Sequence, residues 1–375
     1  MNDGRRGLAL FFTLGVSLVD WQEAGYLHRE LSYYRRLAEH VGPVTLVTYG
    51  GEEDARLGEQ LEGFRVLNNP ERLPPEEFMQ RAPDLYRREL EGLAIFKSNQ
   101  IKGAHAVIHA AGLTGGCAIV RGGYLLSRFV SNRPVSTRMR FGLWRRELAL
   151  FHQAGRVFLP TSEDAQYAQR WYALPAGKVV VVPNFVDTDL FRPREDLACE
   201  PGLVCFVGRL APQKNLAALI EAMAGLKGAR LRLIGDGPQR NNLFRLAQEK
   251  GVPIEILGTV PQEELPVLLA ECEAFVLPSL YEGLPKSLLE AMAAGVPVVA
   301  TQVQGSASVI QHRETGWLCE DTSPEALHRG LSALLRESRL RAKIGRAARQ
   351  YMIESFSLEG VLAREVAVYK ELGLA

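Results

Sequence analysis

The chain has 375 residues, with 44 Lys and Arg against 43 Asp and Glu, for a formal net charge of +1. Hydrophobic residues make up 47% and charged residues 23%, a globular composition in a chain long enough for two separate cores. This excludes a largely disordered chain and gives no overall affinity for polyanions, so charge has to be read locally.

In chain order, Arg5 and Arg6 followed by "GLALFFTLGVSLV" imitate a secretory leader. No small-residue cleavage site follows, and Asp20, Trp21 and Glu23 come directly after. The stretch therefore reads as a first buried strand, Leu8 to Leu14. Tyr26–Glu39 has helical periodicity, and Pro43–Thr48, Ala106–Ile108, Ala118–Arg121 and Arg156–Leu159 read as further strands. No later apolar run is long enough to span a bilayer. "VVPNFVDTDLFRPRED" (181–196) breaks periodicity and predicts a join between two units. Beyond it, 203–208, 231–238 (a strand running into a turn), 254–260, 274–279 and 296–301 read as strands. Stretches 215–226, 239–251, 264–273 and 285–294 read as helices between them, and 356–372 as a last helix. Strands alternating with helices predict right-handed βαβ units and parallel sheets covered on both faces. The five cysteines (Cys117, Cys199, Cys205, Cys272 and Cys319) include no Cys-x-x-Cys pair. That argues against a disulfide framework or zinc site and for a reducing compartment.

In open α/β sheets, ligands bind in the loops at the carboxyl ends of strands. Two such loops carry suitable chemistry. In "VGRLAPQKN" (207–215), Gly208 ends a strand, and Arg209 and Lys214 precede a helix. A guanidinium fork with a point-charge ammonium beside it suits a diphosphate. In "YEGLPKSLLEAMAAGVPVVAT" (281–301), Glu282 lies in a loop, Pro285 fits the first helical position and Gly295 the helix stop. Glu290 then sits about 7.5 Å along the helix axis from Pro285, at about 1.5 Å per residue. Two carboxylates so separated do not flank one bond, as a glycosidase pair does. They suit an elongated ligand with hydroxyls at both ends and negative charge between.

These motifs, taken together and in order, resemble the retaining glycosyltransferases of family 4. The Glu-x7-Glu element matches Glu282 and Glu290 in "EGLPKSLLE", and the Gly-Arg-x4-Lys element matches Gly208, Arg209 and Lys214. "VPNFVDTDLFRP" (182–193) is similar to the family's interdomain segment, with Phe185 where the family has Gly; "LIGDGP" and "LGTVPQEELPVLLAECEAFVLPSLYEG" also match in order. The resemblance is dense from about Phe158 to Gly316. It implies an α/β protein of GT-B fold: two Rossmann-like doubly wound parallel-sheet domains facing across a cleft. Residues 1–182 would form the acceptor domain, joined by the returning helix 356–375, and 183–355 the nucleotide-sugar domain.

The resemblance further implies that Arg209 and Lys214 hold the donor diphosphate and stabilise the leaving group. Glu282 would bind the transferred sugar, the backbone at Gly283 and Leu284 would cap phosphate or sugar oxygens, Glu290 would take the ribose hydroxyls, and Val260 would border the base. The donor would be UDP- or GDP-linked, and attack would come from the leaving-group face with the diphosphate assisting deprotonation. Catalysis would fall to Arg209, Lys214 and Glu282 with no cofactor or metal. The literal Asp-x-Asp at Asp187–Asp189 lies in the interdomain segment and reads as a chance match. Gly15 stands alone where the family often has a Gly-Gly pair, yet a lone glycine still permits approach to a phosphate. Acceptor candidates are Asn99 (with Gln100), His109 at an expected strand end, and Arg121 before Gly122-Gly123.

The acceptor would be a carbohydrate or a lipid-linked molecule of glycan, glycolipid or surface-polysaccharide synthesis. "RFVSNRPVSTRMRFGLWRR" (128–146) holds six arginines and no acidic residue. It suits either a solvated loop or a membrane surface, and nucleic acid is not expected as a partner. The expected location is cytoplasmic, with the inner membrane face as a peripheral site. Two other readings stand beside this one: a nucleotide-sugar epimerase of related fold, and a non-catalytic nucleotide-sugar-binding module. An oxidoreductase is disfavoured because no Gly-x-Gly-x-x-Gly follows the first strand.

Overall fold

Among the described residues, 6–129 and 136–375 of the computed structural model, the strands form two separate sheets. The first contains β1 (Leu8–Phe11), β2 (Val44–Val47), β3 (Phe64–Leu67), β4 (Ile95–Ser98), β5 (Cys117–Arg121), β6 (Arg156–Leu159) and β7 (Val179–Val181), in the order β3-β2-β1-β4-β5-β6-β7. The second contains β8 (Glu200–Val207), β9 (Arg230–Ile234), β10 (Ile254–Gly258), β11 (Cys272–Leu277), β12 (Val298–Thr301) and β13 (Trp317–Cys319), in the order β10-β9-β8-β11-β12-β13. All of these strand pairings are parallel. Strands such as β1, β2 and β12 are buried at every position, as continuous apolar runs in parallel sheets should be.

In each sheet the strand order reverses at one place: between β1 and β4 in the first, and between β8 and β11 in the second. At such switch points the connections diverge to opposite faces and leave a crevice at the carboxyl ends. Backbone contacts divide the chain into one unit of residues up to Pro183 together with Leu362–Ala375, and a second of Asn184–Val361. The helix Leu358–Glu371 begins in the second unit and ends in the first.

That helix brings Glu365 into the core of the first unit. Its carboxylate meets the Lys97 ammonium of β4 at 2.5 Å, and both side chains are fully buried. Tyr33 and Tyr369 donate hydroxyl hydrogen bonds to Glu365 at 2.7 and 2.6 Å. Burial alone would raise the Glu365 carboxyl, but the charges of Lys97 and Arg121 outweigh it and hold the group below its ordinary value.

Two expectations need correction. Ala106–Ile108 is not a strand: it lies inside the helix Ala104–Thr114, bounded by Gly103 and Gly115, both at positive φ. The short apolar run "AVI" is compatible with either state, and flanking alanines in a stretch closed by a helix-stop glycine favour helix. The strand of this region is β4, where Lys97 interrupts the apolar pattern yet is buried by its ion pair. Pro285 caps the helix Lys286–Ala293 instead of occupying its first turn, and Gly295, at φ +75°, ends it as expected.

Candidate functional site

The switch point of the second sheet gathers Gly208, Arg209, Lys214, Glu282, Gly283 and Leu284 of the predicted donor residues. After β8 the chain turns at Gly208, whose φ of +149° favours glycine. It then passes the exposed Arg209 and a single turn at Pro212–Lys214 before the helix Leu216–Met223. After β11 it runs through Ser279 to Leu284 and into the helix Lys286–Ala293. The two loops are stitched together: Leu280 N–H donates to Gln213 O at 2.9 Å, and Gln213 Nε2 to Tyr281 O at 2.9 Å. Lys214 Nζ reaches Glu282 Oε1 at 2.5 Å, and Ser279 Oγ donates to the same oxygen at 2.6 Å. Thr301, at the end of β12, donates to Ser279 O at 2.6 Å.

Lys214 and Glu282 therefore neutralise each other, with side-chain exposures of 17% and 8%. Arg209 has no carboxylate partner among the described residues. A Cβ built on Gly305 would sit 1.8 Å from Gly283 O, so the turn after β12 presses its backbone against the Glu282 loop. Ser306 Oγ beside it is buried without a hydrogen-bond partner. A buried polar atom so left is an exception that a ligand or water can complete.

Glu290 is buried in the middle of its helix and accepts from Gln262 Nε2 at 3.3 Å. Gln262 follows β10 by way of Val260, which packs partly buried on the core, and its Oε1 is buried without a partner. Glu282 and Glu290 thus have different neighbours: one meets the turn after β8, the other the turn after β10. Sequence reading missed Gln213, Gln262, Ser279 and Asn184, whose Nδ2 holds Leu284 O at 2.6 Å. Their polar side chains in otherwise apolar strand-end stretches were the available signal. In the Asp-x-Asp stretch, Asp187 Oδ1 accepts the backbone N–H groups of Asp189 and Leu190, both at 3.0 Å, which is local turn chemistry.

The acceptor candidates all fall in the first unit and do not converge. Gly15, expected as a donor-side phosphate contact and not an acceptor candidate, also lies in the first unit, in the turn after β1 at φ +76°. Asn99 joins the ends of β1 and β4, through N–H to Phe11 O at 2.8 Å and Nδ2 to Thr13 Oγ1 at 3.3 Å. Gln100 Oε1 accepts from Gly123 N at 2.8 Å. His109 is on a helix, not at a strand end, and its Nε2 lies 3.6 Å from Asp84 in an exposed pair. Arg121 ends β5 within the buried charge group of Glu365. Burial opposes its charge, but Glu365 and the nearby tyrosines hold the guanidinium above its ordinary value.

Of the arginine-rich stretch 128–146, residues 130–135 lie outside the described residues. Arg128 and Phe129 end the short helix Leu126–Phe129, and from Thr137 on the stretch forms the helix Thr137–Gln153. Met139 and Phe141 on it are 54% and 57% exposed, and Trp171 on the helix Ser162–Trp171 is 55% exposed. A chain of ring contacts links them: Phe141 stacks on Trp144 at 5.9 Å, Trp144 meets Tyr172 at 5.9 Å, and Tyr167 lies 6.0 Å from Tyr172 and 6.1 Å from Trp171. The Arg170 guanidinium covers Trp171 at 5.4 Å. Tyr172, in the middle of this chain, is fully buried, so Phe141 and Trp171 are exposed at the two ends of a ring chain that passes through the core.

Two doubly wound parallel-sheet units, the second with a basic and acidic loop cluster at its switch point, define a protein of the GT-B fold. Over 98% of its length the chain is similar to a sucrose-phosphate synthase from Thermosynechococcus elongatus (TM-score 0.82, 21% identity, 99% of that chain). Over 97% it is similar to HepE of Anabaena in complex with UDP and glucose (TM-score 0.77, 18% identity, 99% of that chain). The sequence model of the glycosyl transferases group 1 matches residues 187–351, and that of Glycosyltransferase Family 4 matches 31–190. The chain belongs to this glycosyltransferase family.

Among curated relatives, it is 29% identical over 188 residues to the lipopolysaccharide core biosynthesis glycosyltransferase LpsE of Rhizobium meliloti, covering 49% of this chain. It is 30% identical over 213 residues, 51% of this chain, to a GDP-mannose-dependent phosphatidylinositol monomannoside mannosyltransferase of Mycobacterium tuberculosis. The matches span 55% of the length of both relatives. A longer match, 29% over 351 residues, covers 87% of this chain and 67% of the sulfoquinovosyl transferase of Arabidopsis thaliana. Among the described residues, no helix is long and apolar enough to cross a membrane.

Proposed function

We propose that the chain transfers a sugar from a UDP- or GDP-linked donor to an acceptor hydroxyl with retention of anomeric configuration. The observation that carries this reading is the joined loop pair after β8 and β11, with the Lys214–Glu282 pair at 2.5 Å beside the unpaired Arg209. Arg209 and Lys214 take the donor diphosphate and stabilise the charge that develops on the leaving group. Two fixed cations supply this neutralisation, so the reaction needs no metal. Glu282, positioned by Lys214 and Ser279, accepts hydrogen bonds from hydroxyls of the transferred sugar, and the backbone at Gly283 and Leu284 caps oxygens next to it. Glu290 receives the ribose hydroxyls, and Val260 borders the base.

The likeness to a lipopolysaccharide core glycosyltransferase and to a phosphatidylinositol monomannoside mannosyltransferase supports an acceptor of glycan, glycolipid or surface-polysaccharide type. The exposed Met139 and Phe141, beside Arg138, Arg140 and Arg145 on the helix Thr137–Gln153, fit a peripheral seat on an anionic, cytoplasmic membrane surface. Aromatic rings settle at the headgroup level, and arginines meet anionic lipid.

Thermal unfolding with a panel of nucleotide sugars tests the reading. A ligand at 100 times its Kd stabilises by about 2.7 kcal/mol. One UDP- or GDP-sugar should raise Tm with EDTA present; no response to any nucleotide sugar sinks the proposal.

A further inference from the structure

The first sheet has its own switch point, between β1 and β4, and a cavity of about 620 Å³ opens there. Leu14 after β1 and Ile101 after β4 form part of its wall, and Leu126 after β5 another. The helix Thr137–Gln153 closes one side with Leu143, Arg146, Glu147 and Leu150. These recur at i, i+3, i+4 and i+7, so a single helical face looks into the cavity.

The charges of the lining are unbalanced. Lys102, His105 and Arg146 stand at the cavity, exposed, with no carboxylate partner among the described residues. The Glu147 carboxylate is engaged elsewhere: it accepts the backbone N–H groups of Leu126 and Ser127 and the Tyr172 hydroxyl, the last at 2.6 Å. Glu76, exposed on the rim, is the other acidic residue of the lining. Partial burial, and secondarily the charge of Arg146, holds the His105 imidazole below its ordinary value.

We propose that this cavity is the acceptor subsite and that its ligand is an anionic amphiphile. A phosphate group would be bound by Lys102, His105 and Arg146, with an apolar portion laid against Ile101, Leu143 and Leu150. The inference rests on the glycosyltransferase reading for the word acceptor, and on this unit alone for the ligand chemistry. Cations around an apolar wall recognise a charged head on a greasy stem; neither a neutral sugar nor a free sugar phosphate uses both surfaces.

Calorimetry on the full chain, with hexyl phosphate, hexyl glucoside and glucose 1-phosphate as probes, tests this. Hexyl phosphate should bind at least tenfold more tightly than either of the others. Lys102→Ala and Arg146→Ala should each weaken it about tenfold or more, the worth of a charge-assisted hydrogen bond. Arg146→Lys should keep most of the affinity. Leu143→Asn should weaken hexyl phosphate and leave glucose 1-phosphate unchanged. Bound hexyl phosphate should also raise the His105 pKa followed by NMR. Equal binding of hexyl phosphate and hexyl glucoside overturns the anionic assignment. Equal binding of hexyl phosphate and glucose 1-phosphate overturns the amphiphile and assigns a soluble sugar phosphate. UDP and GDP binding, measured on the same variants, should not change. If neither nucleotide binds while hexyl phosphate does, the glycosyl-transfer reading fails and the anion site stands.

Discussion

Lys97→Met tests the attachment of the returning helix most directly. Lys97 and Glu365 are both fully buried and 2.5 Å apart. Removing one member of a buried pair costs about 3–5 kcal/mol, because the remaining charge is left uncompensated. Here the Arg121 charge acts on Glu365, and the hydroxyls of Tyr33 and Tyr369 still donate to it. The loss should therefore fall at the lower end, about 3 kcal/mol. In a unit of this size, about 2–4 °C of Tm accompanies each kcal/mol, giving a fall of about 6–12 °C. Urea unfolding measures the free energy, and hydrogen exchange over Leu358–Glu371 should show protection falling first there. Lys97→Met combined with Glu365→Gln removes the stranded charge and should recover at least about 1 kcal/mol. A single-variant loss under about 1 kcal/mol, or a double variant no better than the single, refutes the argument.

Three further outcomes are expected. Glu290→Ala should weaken UDP or GDP binding about 10- to 100-fold in calorimetry, whereas Glu282→Ala should leave it unchanged or tighten it by freeing Lys214; equal losses at both positions would undo the division of roles. Glu365 has its folded pKa below the ordinary 4.5, so its contribution is present in full above about 4.5 and is lost as pH falls through the folded value; acid unfolding followed by circular dichroism should be less steep in Glu365→Gln, and identical profiles would remove Glu365 from the acid transition. In flotation with phosphatidylglycerol-containing vesicles, an Arg138/Arg140/Arg145→Ser variant should lose about 1 kcal/mol of binding for each arginine, and Phe141→Ser with Trp171→Ser should lose binding in neutral vesicles too; unchanged flotation of both variants rules out this face as the membrane contact.

The second unit was legible in the sequence as far as β12, because its strands carry apolar stretches and its site loops carry Gly, Pro and charged residues at the breaks; β13 and the helices Pro324–Arg336 and Ser338–Phe356 were missed. The first unit was less so. β4 was hidden because Lys97 interrupts it, and local pattern cannot reveal that Glu365, 268 residues away, makes a lysine tolerable inside. β3 was hidden because only Leu67 of its four residues is buried and Arg65 is exposed, so it lacks the continuous apolar run of a central strand. Most of the donor candidates lie in the two loops after β8 and β11, close in sequence to their strands. The cavity of the first unit is assembled from Leu14, Ile101, Leu143 and others spread over more than 100 residues, and only the sheet order brings them to one switch point.

Lys97–Glu365 and Lys214–Glu282 have the same 2.5 Å separation, and burial sets them apart. Lys97–Glu365 has no exposed surface and two tyrosine hydroxyls on its carboxylate, so no ligand can compete for either charge without opening the core. Lys214–Glu282 keeps 17% and 8% of its side-chain surface and lies between loops at a strand-end crevice. On the proposed reading, an arriving diphosphate would draw the ammonium while sugar hydroxyls replaced it on the carboxylate. That exchange would conserve charge-assisted hydrogen bonds on both groups and leave neither ion stranded. On the same reading the pair would keep both groups ordered before a donor arrived, limiting the entropy lost on binding.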